Sequence, residues 1–169
     1  MMAADAGAAV LETNNDGPKI PDKKKTKFDV IIIGAGPSGY TAGIYCSRAG
    51  YDTLILSGIL PGGQLVNTTE VENYPGFENG IMGPDLMIDM RKQSQRMGTT
   101  IIDDVAVDVD FRRAPYKVLT GSEEYEGRAV IIATGANPRK MGITGEEEFS
   151  GKGVSYCATC DGPFFRNLE

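Results

Sequence analysis

The spacing of apolar and polar positions changes several times along the chain, and each change marks an element. Residues 28–33, FDVIII, form an apolar, β-branched run, the pattern of a strand buried on both faces of a parallel sheet. Glycines follow at once. Residues 37–49 then carry helical spacing closed by Gly50, a suitable C-terminal cap, and residues 52–56 predict the next strand. Together they predict a βαβ unit.

Beyond it, residues 65–86, LVNTTEVENYPGFENGIMGPDL, are polar and broken by Pro-Gly and Gly-Pro steps. They predict a long ordered loop, which at the carboxyl edge of a sheet either lines a ligand site or simply connects. Pro84 suits the first turn of a helix whose Leu86, Met90 and Met97 share a face and which Gly98 ends. Short strands are predicted in TTIID, VAVDVDF and YKVLT, and residues 124–127 turn into RAVIIATGANP, another apolar strand ending in Ala133-Thr134-Gly135. An antiparallel meander between two parallel-sheet strands suits an elaborated α/β nucleotide-binding fold.

The turn between the first strand and helix reads Gly34-Ala35-Gly36-Pro37-Ser38-Gly39, a G-x-G-x-x-G. Gly34 permits the tight turn, Gly36 lets backbone approach a pyrophosphate, and Gly39 lets the helix pack closely on the strand. The helix start then turns free N–H groups and its positive end toward the anion. Between a strand and a helix this pattern points to dinucleotide binding. The acid that usually closes the second strand and holds a ribose hydroxyl is missing, and Ser57 stands near its place.

Charge and composition narrow the function classes. A formal net charge of -6 over 169 residues argues against nucleic acid as a partner. No apolar run reaches the ~18 residues of a membrane-spanning helix. Residues 1–27 are rich in small and polar side chains, with a local charge of +1 that leaves -7 for the rest. They predict a disordered extension without the layout of a secretory signal or an organelle transit peptide. The run Lys23-Lys24-Lys25 is either a solvated linker or a docking patch.

The chain has three cysteines and no histidine. Without a secretion signal, a cysteine pair is catalytic or metal-binding before it is structural. Cys157 and Cys160, separated by Ala158 and Thr159, sit on a predicted turn into a helix, a spacing that permits a small reducible ring. Half a zinc site shared between chains is the alternative, and no metal ligand set is assigned within this chain. Asp161 could serve as a turn or helix cap, and Cys46 as a small buried side chain.

The blocks GAGPSGYTAGIYCSRAG, GGQL, TTEVENYPGF, VIIATGANPR and GVSYCATCDG, in this order, resemble the low-molecular-weight thioredoxin reductases from about residue 28 onward. The resemblance implies a Rossmann-like FAD-binding domain over residues 28–137 and the start of an NAD(P)H-binding domain over residues 138–169, which carries the redox-active disulfide. It assigns FAD to Gly34, Gly36, Pro37, Ser38 and Gly39, to the stretch from Ser57 through Gly62, Gly63 and Gln64, to Asn73, and to Thr134 and Gly135. Ser57 then falls at a position where the family carries a small hydroxyl. The resemblance further implies that Cys160 lies nearer the flavin, that Cys157 attacks the substrate disulfide, and that Asp161 protonates a leaving thiolate.

The implied route runs from NADPH through FAD and the Cys157/Cys160 pair to thioredoxin, in a homodimer; a cytoplasmic location is expected from the absent signals and the cysteine usage. The NADPH site is not contained in these 169 residues. A fragment of a reductase that turns over poorly alone is therefore expected, and a stand-alone flavin-binding module is the alternative. The flavoprotein subunit of alkyl hydroperoxide reductase shares a similar cysteine block followed by Asp-Gly-Pro. Its long folded N-terminal extension has no counterpart in residues 1–27.

Overall fold

A computed structural model describes residues 25–165, the side chains of Pro163 and Phe164 excepted. The extension expected over residues 1–27 lies outside the described residues up to position 24. Its predicted limit shifts slightly, because Lys27 already belongs to the first strand.

Strands β1 (Lys27–Ile33) and β2 (Thr53–Leu56) flank helix α1 (Pro37–Arg48). They pair in parallel, with Val30 opposite Thr53 and Ile33 opposite Leu56. A single 3-10 turn, Gly63–Asn67, and two short strands, β3 (Glu70–Val71) and β4 (Ile81–Met82), interrupt the stretch predicted as one long loop. The ladder of β3 and β4 is two residues long, too brief to leave a period in the sequence. Helix α2 (Gly83–Arg96) has Pro84 in its first turn. It buries Leu86, Met87 and Met90, while Met97 is its half-buried C-terminal cap.

Strands β5 (Thr100–Ile102), β6 (Ala106–Asp110), β7 (Tyr116–Thr120) and β8 (Glu124–Ile132) complete a six-stranded sheet of order β5-β2-β1-β8-β7-β6. The first four run parallel; β7 pairs antiparallel with β8, and β6 antiparallel with β7. The structure therefore bears out an α/β fold with a mainly parallel, Rossmann-like sheet and a meander. Two details are corrected. The TTIID segment joins the parallel part, and residues 124–127 are strand rather than turn. Gly127 signals a turn in sequence, but here it opens room for Ile31: a Cβ at Gly127 would lie 2.9 Å from Ile31 Cγ1.

Alternation along β1 and β2 divides the core between two faces. Val30, Ile32 and Ile55 pack with Tyr40, Leu86, Met87 and Met90 under the two helices. Ile31, Leu54 and Leu56 pack on the other side with Phe28, Val118 and Tyr125. Burying each such side chain contributes about 1.5–3 kcal/mol. The resulting rigid sheet presents the ends of β1, β2 and β8 along one edge. No helix among the described residues is long and apolar enough to cross a membrane.

Candidate active site

At that edge the chain leaves β1 through Gly34, whose φ of +109° is open to glycine and strained for other residues. Its N–H donates to Leu56 O at 2.8 Å, and a Cβ there would come within 2.3 Å of Ala133 O. Gly39 meets an equally close neighbour, since a Cβ would lie 2.0 Å from Gly34 O. The glycine turn is thus wedged between α1 and the end of β8. Gly36 differs. A Cβ at Gly36 would meet nothing within 4 Å, so the backbone there faces open space.

That space is a groove of about 670 Å³ lined by Gly34, Gly36, Pro37, Ser38, Ser57, Gly63, Gln64, Thr134 and Gly135, among others. Its volume lies in the range of small-molecule sites, about 300–1,000 Å³. Pro37 opens α1 with Gly36 as N-cap, and the first N–H groups of a helix have no partner within it. A bare backbone cradle beside those donors fits an anionic dinucleotide phosphate. Gly62, at φ +98°, is buried and donates from its N–H to Ala35 O at 2.8 Å, fastening the second glycine turn beneath the first.

Not every expected contact is on this groove. Gly39 and Gly62 support it from below, and Asn73 lies elsewhere, exposed in a shallow hollow with Glu72, Tyr74 and Phe77. The groove also takes residues that sequence reasoning missed. Val105 and Ala106 add apolar surface, and Asn137 accepts a 2.7 Å hydrogen bond from Gln64 Nε2. Gln64 and Asn137 are polar residues beside glycine turns, a weak signal that only their tertiary meeting makes specific.

Ser57 is buried, and its hydroxyl donates to Asp103 Oδ1 at 2.8 Å. Arg91 grips the same carboxylate in a two-pronged pair at 2.8 and 2.9 Å. The Arg91 hydrogen bond, aided by Ser57, holds the Asp103 carboxyl below the usual carboxylate range. An acid thus does stand beside the end of β2, but β5 delivers it.

Cys157 and Cys160 are joined by a disulfide, with Cys157 as the N-cap of the short helix α3 (Ala158–Asp161). Ser155 Oγ accepts from the Cys157 N–H at 3.1 Å and donates to Asp161 Oδ2 at 2.6 Å. Cysteine pair and acid are therefore brought together by one hydroxyl. Cys157 is half-buried and Cys160 exposed, and neither lines the groove. Cys46 is a free, half-buried thiol packed against the core under the helices.

Comparison with known proteins decides the family. The model of the pyridine nucleotide-disulphide oxidoreductases matches residues 28–169. The chain belongs to that family.

Within the pyridine nucleotide-disulphide oxidoreductases, the chain is 53% identical over 146 residues to the thioredoxin reductase of Rickettsia bellii, covering 86% of this chain and 47% of that protein. It is 55% identical over 144 residues to the thioredoxin reductase of Listeria monocytogenes, covering 84% and 44%. Among solved structures, the thioredoxin reductase of Streptococcus pyogenes superimposes with a TM-score of 0.77 at 40% identity, covering 85% of this chain and 46% of that one. The thioredoxin reductase of Giardia duodenalis gives 0.75 at 39%, covering 82% and 45%. The chain spans less than half the length of each of these proteins.

Proposed function

We propose that these residues are the flavin-binding and disulfide-bearing portion of an NADPH-dependent thioredoxin-disulfide reductase. One observation carries the reading: a glycine-built groove at the start of α1 and a joined Cys157–Cys160 pair with Asp161 tied beside it occur in one chain. High identity to proteins named thioredoxin reductase supports it. Residues 28–137 form the flavin-binding domain in this reading, and residues 138–169 begin a second nucleotide-binding domain. A homodimer and a cytoplasmic setting belong to the same reading.

Gly34, Gly36, Ser38 and the start of α1 hold the FAD pyrophosphate, with Ser57, Gly63, Gln64, Thr134 and Gly135 along the rest of the cofactor. Asn73 would reach the flavin only through a rearranged 72–78 loop. Bound there, FAD would supply the two-electron transfer from NADPH to the disulfide. The chain's own residues do the thiol chemistry. Cys157 thiolate attacks one sulfur of the thioredoxin disulfide, forming a mixed disulfide and releasing a thiolate that takes its proton from Asp161. Cys160 thiolate then attacks Cys157 Sγ, which expels the second thioredoxin thiolate and restores the Cys157–Cys160 disulfide.

The test is thiol–disulfide exchange, followed by alkylation and mass measurement, between reduced thioredoxin and the oxidised chain, alongside a fluorescence titration with FAD. The reading expects Cys157 and Cys160 to become alkylated together and FAD to bind near one per chain. An unexchanged disulfide, or no FAD binding, defeats it.

A further inference from the structure

Between β8 and the disulfide turn lies a connector whose contacts centre on one carboxylate. Glu146 is 4% exposed, whereas its neighbours Glu147 and Glu148 face solvent. Both of its oxygens are used. Met141 N–H donates to Oε1 at 2.8 Å, Gly142 N–H to Oε2 at 2.6 Å, and the Tyr156 hydroxyl to Oε1 at 2.8 Å. Glu147 instead points outward to a Lys140 ion pair of 2.6 Å.

The first two hydrogen bonds fasten Glu146 to the backbone that leaves the sheet. The third fastens Tyr156, the residue directly before Cys157. Tyr156 is flanked on its other side by Ser155, which holds both the Cys157 N–H and the Asp161 carboxylate. Turns and one isolated bridge, Ser150 to Val154, are the backbone order of residues 141–156. Backbone hydrogen bonds order residues 143–154, Glu146 N–H to Ile143 O and Val154 N–H to Phe149 O among them, but among the described residues none of them reaches Tyr156. Bonds to an ionised carboxylate are about twice as strong as neutral ones, and burial penalises any that are broken.

We propose that Glu146 is a positioning residue for the redox pair: through Tyr156 it fixes the backbone that carries Cys157. The proposal rests on the reading of Cys157–Cys160 as a redox centre. Its direction follows from chain entropy. Forming the ring costs less conformational entropy when the backbone that carries Cys157 is already ordered, so the Glu146–Tyr156 contact favours the joined pair over the free dithiol. Loss of the contact makes the disulfide easier to reduce.

The test equilibrates the chain in graded mixtures of reduced and oxidised dithiothreitol, traps free thiols by alkylation and reads them by mass. Wild type, Glu146→Gln, Tyr156→Phe and the double variant are compared. Glu146→Gln keeps the shape but sets an amide N–H against a backbone N–H, and Tyr156→Phe keeps the ring, so folding survives at least one of them. Each single variant is expected to make the disulfide about tenfold easier to reduce, equivalent to about 30 mV for a two-electron couple. The double variant should shift no further than Tyr156→Phe alone, since Glu146 acts on the pair only through Tyr156. A Tyr156→Phe titration that superimposes on wild type, or additive shifts, overturns the proposal. A wild-type pair with no two-electron transition instead overturns the redox reading beneath it.

Discussion

Gln64 and Asn137, 73 positions apart, are joined by a 2.7 Å hydrogen bond from Nε2 to Oδ1 at the groove. Gln64 belongs to the 3-10 turn that follows the second glycine turn, and Asn137 lies just beyond the end of β8. The bond sets the spacing of two segments that both line the groove. Because both side chains are exposed, Asn137→Ala should change stability by less than about 0.5 kcal/mol. Losing a preorganising bond worth about 0.5–1.5 kcal/mol should nonetheless weaken FAD binding about three- to tenfold. Thermal melts of the cofactor-free protein beside a flavin fluorescence titration check both halves. Equal FAD affinity in variant and wild type would count against a role for this bond.

Two glycines of the same motif should respond in opposite ways to one methyl group. At Gly36 the backbone angles, φ -82° and ψ -171°, suit any residue, and a Cβ meets nothing within 4 Å. Gly36→Ala should therefore cost less than about 1 kcal/mol of stability, mostly as a poorer N-cap, while its methyl occupies the phosphate cradle and lowers FAD affinity at least about tenfold. At Gly39 a Cβ would stand 2.0 Å from Gly34 O. Gly39→Ala should cost about 1–3 kcal/mol or more, because backbone has to move. Denaturant melts without FAD separate the two; a Gly36→Ala variant that binds FAD normally would remove the cradle from the site.

Two buried hydroxyls, Ser94 Oγ and Tyr125 Oη, have no hydrogen-bond partner among the described residues. Both residues are 0% exposed. An unpaired buried hydroxyl carries a desolvation penalty of about 1–3 kcal/mol, which removal of the oxygen relieves. Ser94→Ala and Tyr125→Phe are each expected to raise stability by about 1 kcal/mol, visible as a higher urea midpoint at unchanged slope. A fall of similar size in either variant would mean that the hydroxyl is satisfied in solution.

How far the sequence could be followed depended on how local each cause was. The β1-α1-β2 unit and its glycine turn were legible because apolar run, glycine punctuation and helical spacing all lie within about 30 residues, the size of a βαβ unit. Gly127 misled because the same residue serves a turn or a crowded strand, and only the approach of Ile31 decides between them. Asp103 was hidden because β5 supplies it to Ser57 across 46 positions. Glu146 is one of three consecutive glutamates, identical in composition to its neighbours, and only the meeting of Met141, Gly142 and Tyr156 around it sets it apart. The groove thus announced its glycines in the sequence, while the polar contacts that shape it came from tertiary structure.

The Arg91–Asp103–Ser57 contact makes a prediction about pH. Arg91 first, with help from Ser57, depresses the Asp103 carboxyl in the folded protein, whereas in the unfolded chain it titrates near the ordinary value of about 3.9. A folded pKa below the unfolded one means that the contact stabilises the protein above about pH 4 and that this stability is lost as pH falls through the folded value. Asp103→Asn keeps an acceptor for Ser57 and removes the charge, so its deficit in thermal midpoint should be constant between about pH 5 and 8 and shrink below about pH 4. Other carboxylates titrate in the same window, Asp29 and Glu146 among them with lowered values, so the quantity to plot is wild type minus variant, in which they cancel. Salt adds a second axis. The Asp103 side chain is 55% exposed, so raising ionic strength should reduce the plateau by screening the ion pair. A difference that stays flat down to pH 2 would assign the deficit to lost packing or hydrogen bonding rather than to the charge.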